Sequence, residues 1–249
     1  MRYCRDMVSY QPKRRNRGHK KMTNVISHMV PDGEGFAELD DGKLFLGHRR
    51  LSIIDLTPAG NQPMEYMNRY TITYNGEIYN YLELREILQS KGYRFYSATD
   101  TEVIMAAYDC WGIDCLQKFD GMFAFALYDK NSHELFCARD RFGEKPFHYF
   151  EGNDFFVFGS EMKSLWAAEV DKTPDDYSIY LFLNMELHED PEDKSRTFFK
   201  NIKRLKPGHY FKIKNSEKIY QEQYWKINFQ NKQTNISFEE ACLKFRELF

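Results

Sequence analysis

Apolar residues in the first two thirds of the chain switch between a two-residue and a near-four-residue period, and the switches mark the elements. Residues 43–49 and 51–55 alternate as strands, and 70–74 and 77–79 read as two strands either side of Asn75-Gly76. From 80 to 91 the residues Tyr81, Leu84, Ile87 and Leu88 fall on one helical face, with Gly92 placed as a C-cap. Thr99-Asp100-Thr101-Glu102 has the form of a capping box. It opens a second stripe of Val103, Ile104, Ala107, Tyr108 and Trp111 that runs to Gly112. Residues 122–128 are apolar on both alternating faces, which predicts a strand buried between a helix layer and a second sheet. A turn at 129–132 and strands at 134–138, 147–150 and 155–158 continue the meander. The signal then weakens to a helix at 175–184, a charged loop at 188–196 and a hairpin within 208–225. A polar stretch at 230–235 precedes an amphipathic helix at 237–249, opened by a capping box of Ser237 and Glu240. The expected architecture is α+β: an αββα sandwich of two mostly antiparallel sheets flanked by helices.

Composition narrows the class. With 249 residues, 42% hydrophobic and 29% charged, the chain can bury a core and is neither disordered nor fibrous. Aromatic residues at 16%, including 21 Phe and 17 Tyr, suit packed sheets. No apolar run approaches the roughly 18 residues of a membrane span, and the opening stretch has no signal-peptide core, so neither membrane nor secretion is expected. The 5 Cys, with no CxxC pair and no His at ligand spacing, point to reduced thiols in a cytoplasmic setting and to no metal. The net charge of -2 hides an asymmetry: Arg2, Arg5, Lys13, Arg14, Arg15, Arg17, Lys20 and Lys21 face Asp6 alone at the start, over an acidic remainder. Such an arm suits nucleic acid or a targeting signal, or else lies outside the domain proper.

Candidate chemistry gathers in HRRLSIID (48–55), NGEIYN (75–80) and TDTE (99–102). Each has a plain reading: Asn75-Gly76 as a type I′ turn, Arg50 as a surface ion-pair residue, Asp100 as part of a helix cap. Taken together they are an Arg fork for a carboxylate, an Asp for an ammonium, and an Asn amide beside a Gly N–H as an oxyanion hole. Those groups suffice to grip a free amino acid and stabilise attack on its side-chain amide. Elsewhere the plain readings hold. Cys110 and Cys115 are core thiols, Arg139-Asp140-Arg141 is a structural ion-pair loop, and His148 and His209 are satisfied structural histidines. The Lys13 to Lys21 cluster is a solvated tail.

HRRLSIIDLTPAGNQPM, YNGEIYNYLELR, SATDTEVIMAAYDCWG, GMFAFALYD, LFCARDRFGEKP and FGSEMKSL closely resemble the glutamine-hydrolysing domain of asparagine synthetases, a class II glutamine amidotransferase, in order from about Lys20 to the end. The resemblance implies an N-terminal-nucleophile αββα fold and hydrolysis of glutamine to glutamate and ammonia. It implies that Arg50 binds the glutamine α-carboxylate, that the backbone of Leu51 and Ile53 lines the pocket, that Asn75 and Gly76 form the oxyanion hole, and that Glu77 and Asp100 hold the α-amino group. Implied partners are glutamine, a synthetase domain and a second copy in a homodimer, without nucleic acid or membrane. ATP and magnesium are implied only for the synthetase domain, which would amidate aspartate, and no cofactor is implied for this chain. The corresponding divisions are a basic segment at 1–19, an amidotransferase domain at 20–227, and a linker with the start of a truncated synthetase domain at 228–249.

Two departures stand out. Members of this family begin Met-Cys, and the thiol attacks while its own α-amine serves as base. Here position 2 is Arg, and Cys4 follows Arg2 and Tyr3, which leaves a catalytically dead glutamine-binding remnant as the alternative. The strand that the family's opening residues supply is expected to be missing, and His28-Met29-Val30-Pro31-Asp32 replaces His-Arg-Gly-Pro-Asp. No Ser-Gly-Gly-Leu-Asp-Ser phosphate loop occurs either. One choice of codons for residues 1–7 with the first base of the next, read from the second base of the first codon, spells Cys-Gly-Ile-Ala-Gly-Ile-Trp, the family's opening, as loss of two bases near the start codon would leave it. A frame change near the start codon therefore predicts that the encoding DNA carries those codons, and sequencing that finds others removes the explanation.

Overall fold

The computed structural model describes residues 6–10, 18–27, 33–50, 58–153, 155–214, 219–228 and 236–248. Its strands are β1 (Asp6–Tyr10), β2 (Gly33–Leu39), β3 (Leu44–Arg50), β4 (Met64–Tyr66), β5 (Tyr70–Ile78), β6 (Gly121–Asp129), β7 (Glu134–Arg139), β8 (His148–Glu151), β9 (Phe156–Gly159), β10 (Lys203–Arg204), β11 (His209–Ile213) and β12 (Glu222–Gln223). Its helices are α1 (Gly18–Asn24), α2 (Tyr81–Ser90), α3 (Asp100–Trp111), α4 (Cys115–Lys118), α5 (Met162–Ala167), α6 (Asp176–Met185) and α7 (Phe238–Leu248).

Two antiparallel sheets result, one ordered β10-β8-β9-β1-β3-β2 and the other β12-β11-β7-β6-β5-β4. They pack face to face: Leu44, Leu46, Phe156 and Phe158 of the first share one buried cluster with Ile72, Phe125, Phe136 and Phe211 of the second. Helices α1 and α5 cover the outer face of the first sheet, where Met22, Ile26, Val157 and Leu165 form a second apolar cluster. Helices α2 and α3 cover the second sheet through Leu84, Leu88, Val103 and Ile104. This is the expected αββα order, and β6, apolar on both faces, lies buried between helix and sheet. Burying a single core Phe in such a layer stabilises the fold by about 3 kcal/mol or more relative to Ala.

Four expectations are corrected. First, Tyr70–Ile78 is one nine-residue strand with Asn75 and Gly76 in its interior, paired to Ala124 and Phe123. The hairpin turn sits elsewhere, at Met67-Asn68, both with positive φ, between β4 and β5. Gly76 is required for another reason: its φ is +152°, and a Cβ there would lie 2.2 Å from the Met122 carbonyl oxygen. Second, the family's opening strand is present in kind, because β1 pairs with β3 on one side and β9 on the other. Third, Ile87 of the α2 stripe is 47% exposed, so Leu84 and Leu88 carry that contact. Fourth, the Thr99 side chain makes no cap bond to α3. Glu102 instead reaches back to the amides of Tyr96 and Ser97, at 3.1 and 2.7 Å, and to the Ser97 hydroxyl.

The capping box at α7 forms as expected, with Ser237 and Glu240 exchanging side-chain to backbone bonds. The expected strand at 51–55, together with Cys4, Leu51, Ile53 and the 28–32 segment, lies outside the described residues. Gly76→Ala should destabilise the protein by about 3 kcal/mol, through overpacking against backbone that cannot yield. Urea denaturation reads this directly, and an unchanged midpoint contradicts the close approach.

Candidate functional site

Antiparallel pairing aims the amides of successive residues to opposite sides of a strand. In β5 the odd-numbered residues face β6, as the Tyr79 amide continues to do by donating to Asp120, and the even-numbered ones face the β4 side. Strand β4 ends its pairing at Ile72. Beyond it, side chains take over: the Tyr74 N–H donates to Gln62 Oε1 at 2.7 Å, and the Ile78 N–H to Asp100 Oδ2 at 3.0 Å. Between these two, the Gly76 N–H meets no protein acceptor among the described residues. The side chain of its neighbour Asn75 reaches the other sheet. It is 3% exposed, and its Nδ2 donates to Ser160 Oγ at 3.4 Å, just past the end of β9.

Asp100 opens α3 fully buried. Its Oδ2 accepts from the Tyr74 hydroxyl at 2.7 Å as well as from Ile78, so the carboxylate clamps helix to strand. Glu77 sits half-buried one residue beyond Gly76. Arg50 ends β3 and is buried, which corrects the surface ion-pair reading; its Nη1 donates to Asn61 Oδ1 at 2.7 Å. The next residue, Gln62, holds Tyr74 and donates through Nε2 to Thr101 Oγ1 at 3.4 Å. Asn61 and Gln62 thus touch Arg50, the strand that carries Asn75 and Gly76, and the helix that Asp100 opens. Sequence reasoning passed over both, although they stand in the quoted GNQPM, because polar residues before a proline read as loop.

Behind Asn75 and Gly76 the backbone is braced. Phe123, opposite Gly76, donates its N–H to Asp140 Oδ2 at 3.2 Å, and Asp140 also accepts from Phe142, Glu144 and Lys145 at 3.0, 2.9 and 3.0 Å. Arg139 donates to the carbonyls of Lys145 and Leu205 at 2.6 and 2.7 Å, and burial pushes its pKa down to about 10. The Arg139-Asp140-Arg141 loop is structural, but through backbone groups rather than ion pairs. His209 Nδ1 donates to the Pro207 carbonyl at 2.7 Å, and His148 Nδ1 lies 3.0 Å from the Ser160 carbonyl. A carbonyl only accepts, so His148 carries its proton on Nδ1.

A tyrosine-lined cavity of about 440 Å³ opens separately among Tyr66, Met67, Tyr93 and Tyr96 and shares none of these site residues. Asp109 at its side is held by Arg69, Tyr70 and Tyr93. Among the described residues no three His, Cys, Asp or Glu side chains group to hold a metal ion, and no helix is long and apolar enough to cross a membrane. Cys115 and Cys137 are fully buried free thiols.

Comparison with known proteins places the geometry. The model of the glutamine amidotransferase domain matches residues 6–225. Asparagine synthetase [glutamine-hydrolyzing] 1 of Bacillus subtilis is 40% identical over 216 residues, covering 86% of this chain and 33% of that protein. The amidase chry2 of Gibberella zeae is 31% identical over 210 residues, covering 84% of this chain and 30% of its own. The chain thus spans about a third of the length of the curated relatives it matches. Among solved structures, the glutamine phosphoribosylpyrophosphate amidotransferase from B. subtilis, complexed with ADP and GMP, superposes with a TM-score of 0.67. The identity is 17%, over 89% of this chain and 49% of that one, so the likeness is one of fold.

His148 generates a prediction of its own. Burial pushes its pKa down to about 4 from 6.5, so the unfolded chain binds the extra proton first as pH falls. Stability is therefore full above about pH 6.5 and is lost as pH drops towards 4, by on the order of 3 kcal/mol from this group. Denaturation of His148→Gln across that range should show a flatter pH dependence than the parent; parallel curves contradict it.

Proposed function

We propose a function from one premise: the chain belongs to the glutamine amidotransferase domain family. Free glutamine binds where β3, β5 and α3 meet. Arg50 takes its α-carboxylate through the guanidinium fork, the backbone of Leu51 and Ile53 lines the side, and Glu77 with Asp100 supplies the negative charge for the α-ammonium. The side-chain carbonyl lies against Asn75 Nδ2 and the Gly76 N–H. The observation that carries this reading is the Gly76 amide, an outward backbone donor between two amides that side chains have already satisfied.

Attack by a thiolate on the amide carbon moves charge onto that carbonyl oxygen, and two preset donors stabilise it without reorganisation. Collapse expels ammonia and leaves a thioester, which water cleaves to glutamate. The attacking thiol in this reading is an N-terminal Cys with its own amine as base. In a longer protein of the synthetase kind, the ammonia would amidate aspartate or another carboxylate with ATP and magnesium held outside this chain. The buried reduced thiols fit a cytoplasmic setting, a homodimer is compatible, and neither nucleic acid nor membrane enters the reading.

Arg50→Ala removes the charge-assisted contact to the α-carboxylate and should weaken glutamine binding about a hundredfold or more. Isothermal calorimetry measures it, and an affinity equal to the parent's refutes the role of Arg50.

A further inference from the structure

We infer that Asn61 is a positioning residue for Arg50, a role that rests on the glutamine reading above and sets how well the site recognises an α-carboxylate. A guanidinium at the end of a flexible three-carbon stem recognises a carboxylate bidentately only if its plane is fixed, because the two parallel N–H···O bonds share that plane. Strand β3 fixes the Cα of Arg50 but not the end of its side chain. Asn61 supplies an outside restraint: its Oδ1 accepts from Nη1 at 2.7 Å and uses one of the five guanidinium donors.

The restraint is useful because Asn61 is itself held. Gln62, directly after it, is 3% exposed and is tied at both ends of its carboxamide, to the Tyr74 amide on β5 and to Thr101 on α3. These are the strand that carries Asn75 and Gly76 and the helix that Asp100 opens. Two adjacent residues thus reference the carboxylate-binding group to the oxyanion donors and the ammonium-binding carboxylate. Gln62 anchors the loop, and Asn61 transmits that anchor to Arg50. Asn61 is exposed, so replacing it removes little buried contact, and its effect is separable from folding.

The experiment titrates glutamine and γ-aminobutyramide, which is glutamine without its α-carboxylate, into the parent chain and into Asn61→Ala, with urea midpoints for both proteins. The expected result is a loss of about tenfold in glutamine affinity with the γ-aminobutyramide affinity and the urea midpoint unchanged. An equal loss for both ligands, or a large fall in the midpoint, makes Asn61 an element of loop folding and overturns the inference. Unchanged glutamine affinity in the variant, with the parent binding, overturns it while leaving the glutamine reading intact. Failure of the parent to bind glutamine sinks the glutamine reading and this inference with it.

Discussion

The site depends on a property of strand pairing: a residue whose amide faces one neighbour cannot offer it to the other. Strand β5 is covered on its β4 side for only part of its length, which leaves Tyr74, Gly76 and Ile78 with outward amides and no ladder partner. A buried N–H without an acceptor costs roughly 1–3 kcal/mol, so the fold supplies Gln62 for the first and Asp100 for the third. The middle one is the donor that the proposed reading gives to the ligand. Shifting β5 by one residue would turn all three amides onto β6 and erase the site, which is why its register is fixed by aromatic and aliphatic packing on both faces.

Gly76 and Phe123 show how that register is held. With no Cβ, Gly76 lets the Met122 carbonyl approach closely, and Phe123 is in turn fixed from behind by Asp140. Arg139 and Asp140 bind backbone carbonyls and amides rather than one another, so the loop 139–145 behaves as a rigid brace. Gly76 is thus held by main-chain geometry and Asn75 by Ser160, the preorganisation that the oxyanion hole proposed above would need.

Much of this was legible in the letters. The run 122–128, apolar on both faces, could only be a strand between two layers, and the periodic stripe after Asp100 could only be a helix on one of them. The residue types proposed for the site were chosen in the sequence because few combinations grip a carboxylate, an ammonium and an oxyanion together. Asn75-Gly76 misled as a turn because Gly serves two ends, a positive φ in a hairpin and the absence of a Cβ in a close contact, and a single sequence does not separate them. Glu102 misled as a capping box because Ser97 and Tyr96 offered amides to a side chain expected to bond at Thr99. Asp6–Tyr10 was passed over because a basic arm has no alternating pattern, yet the gap between β3 and β9 gives any extended segment two sets of backbone partners.

The division of labour between the layers has a chemical consequence. Arg50 belongs to the sheet of β3, whereas Asn75 and Gly76 belong to the sheet of β5, and the two sheets touch through apolar side chains that resist small displacements. On the glutamine reading proposed above, a ligand spanning both would match the spacing between a carboxylate grip on one layer and an oxyanion hole on the other, so that its chain length would be read against the packing thickness of the core. Polar links also cross between the layers, among them Arg50 to Asn61, Asn75 to Ser160 and Thr73 to the Gly47 carbonyl, and they would orient the end groups within that spacing.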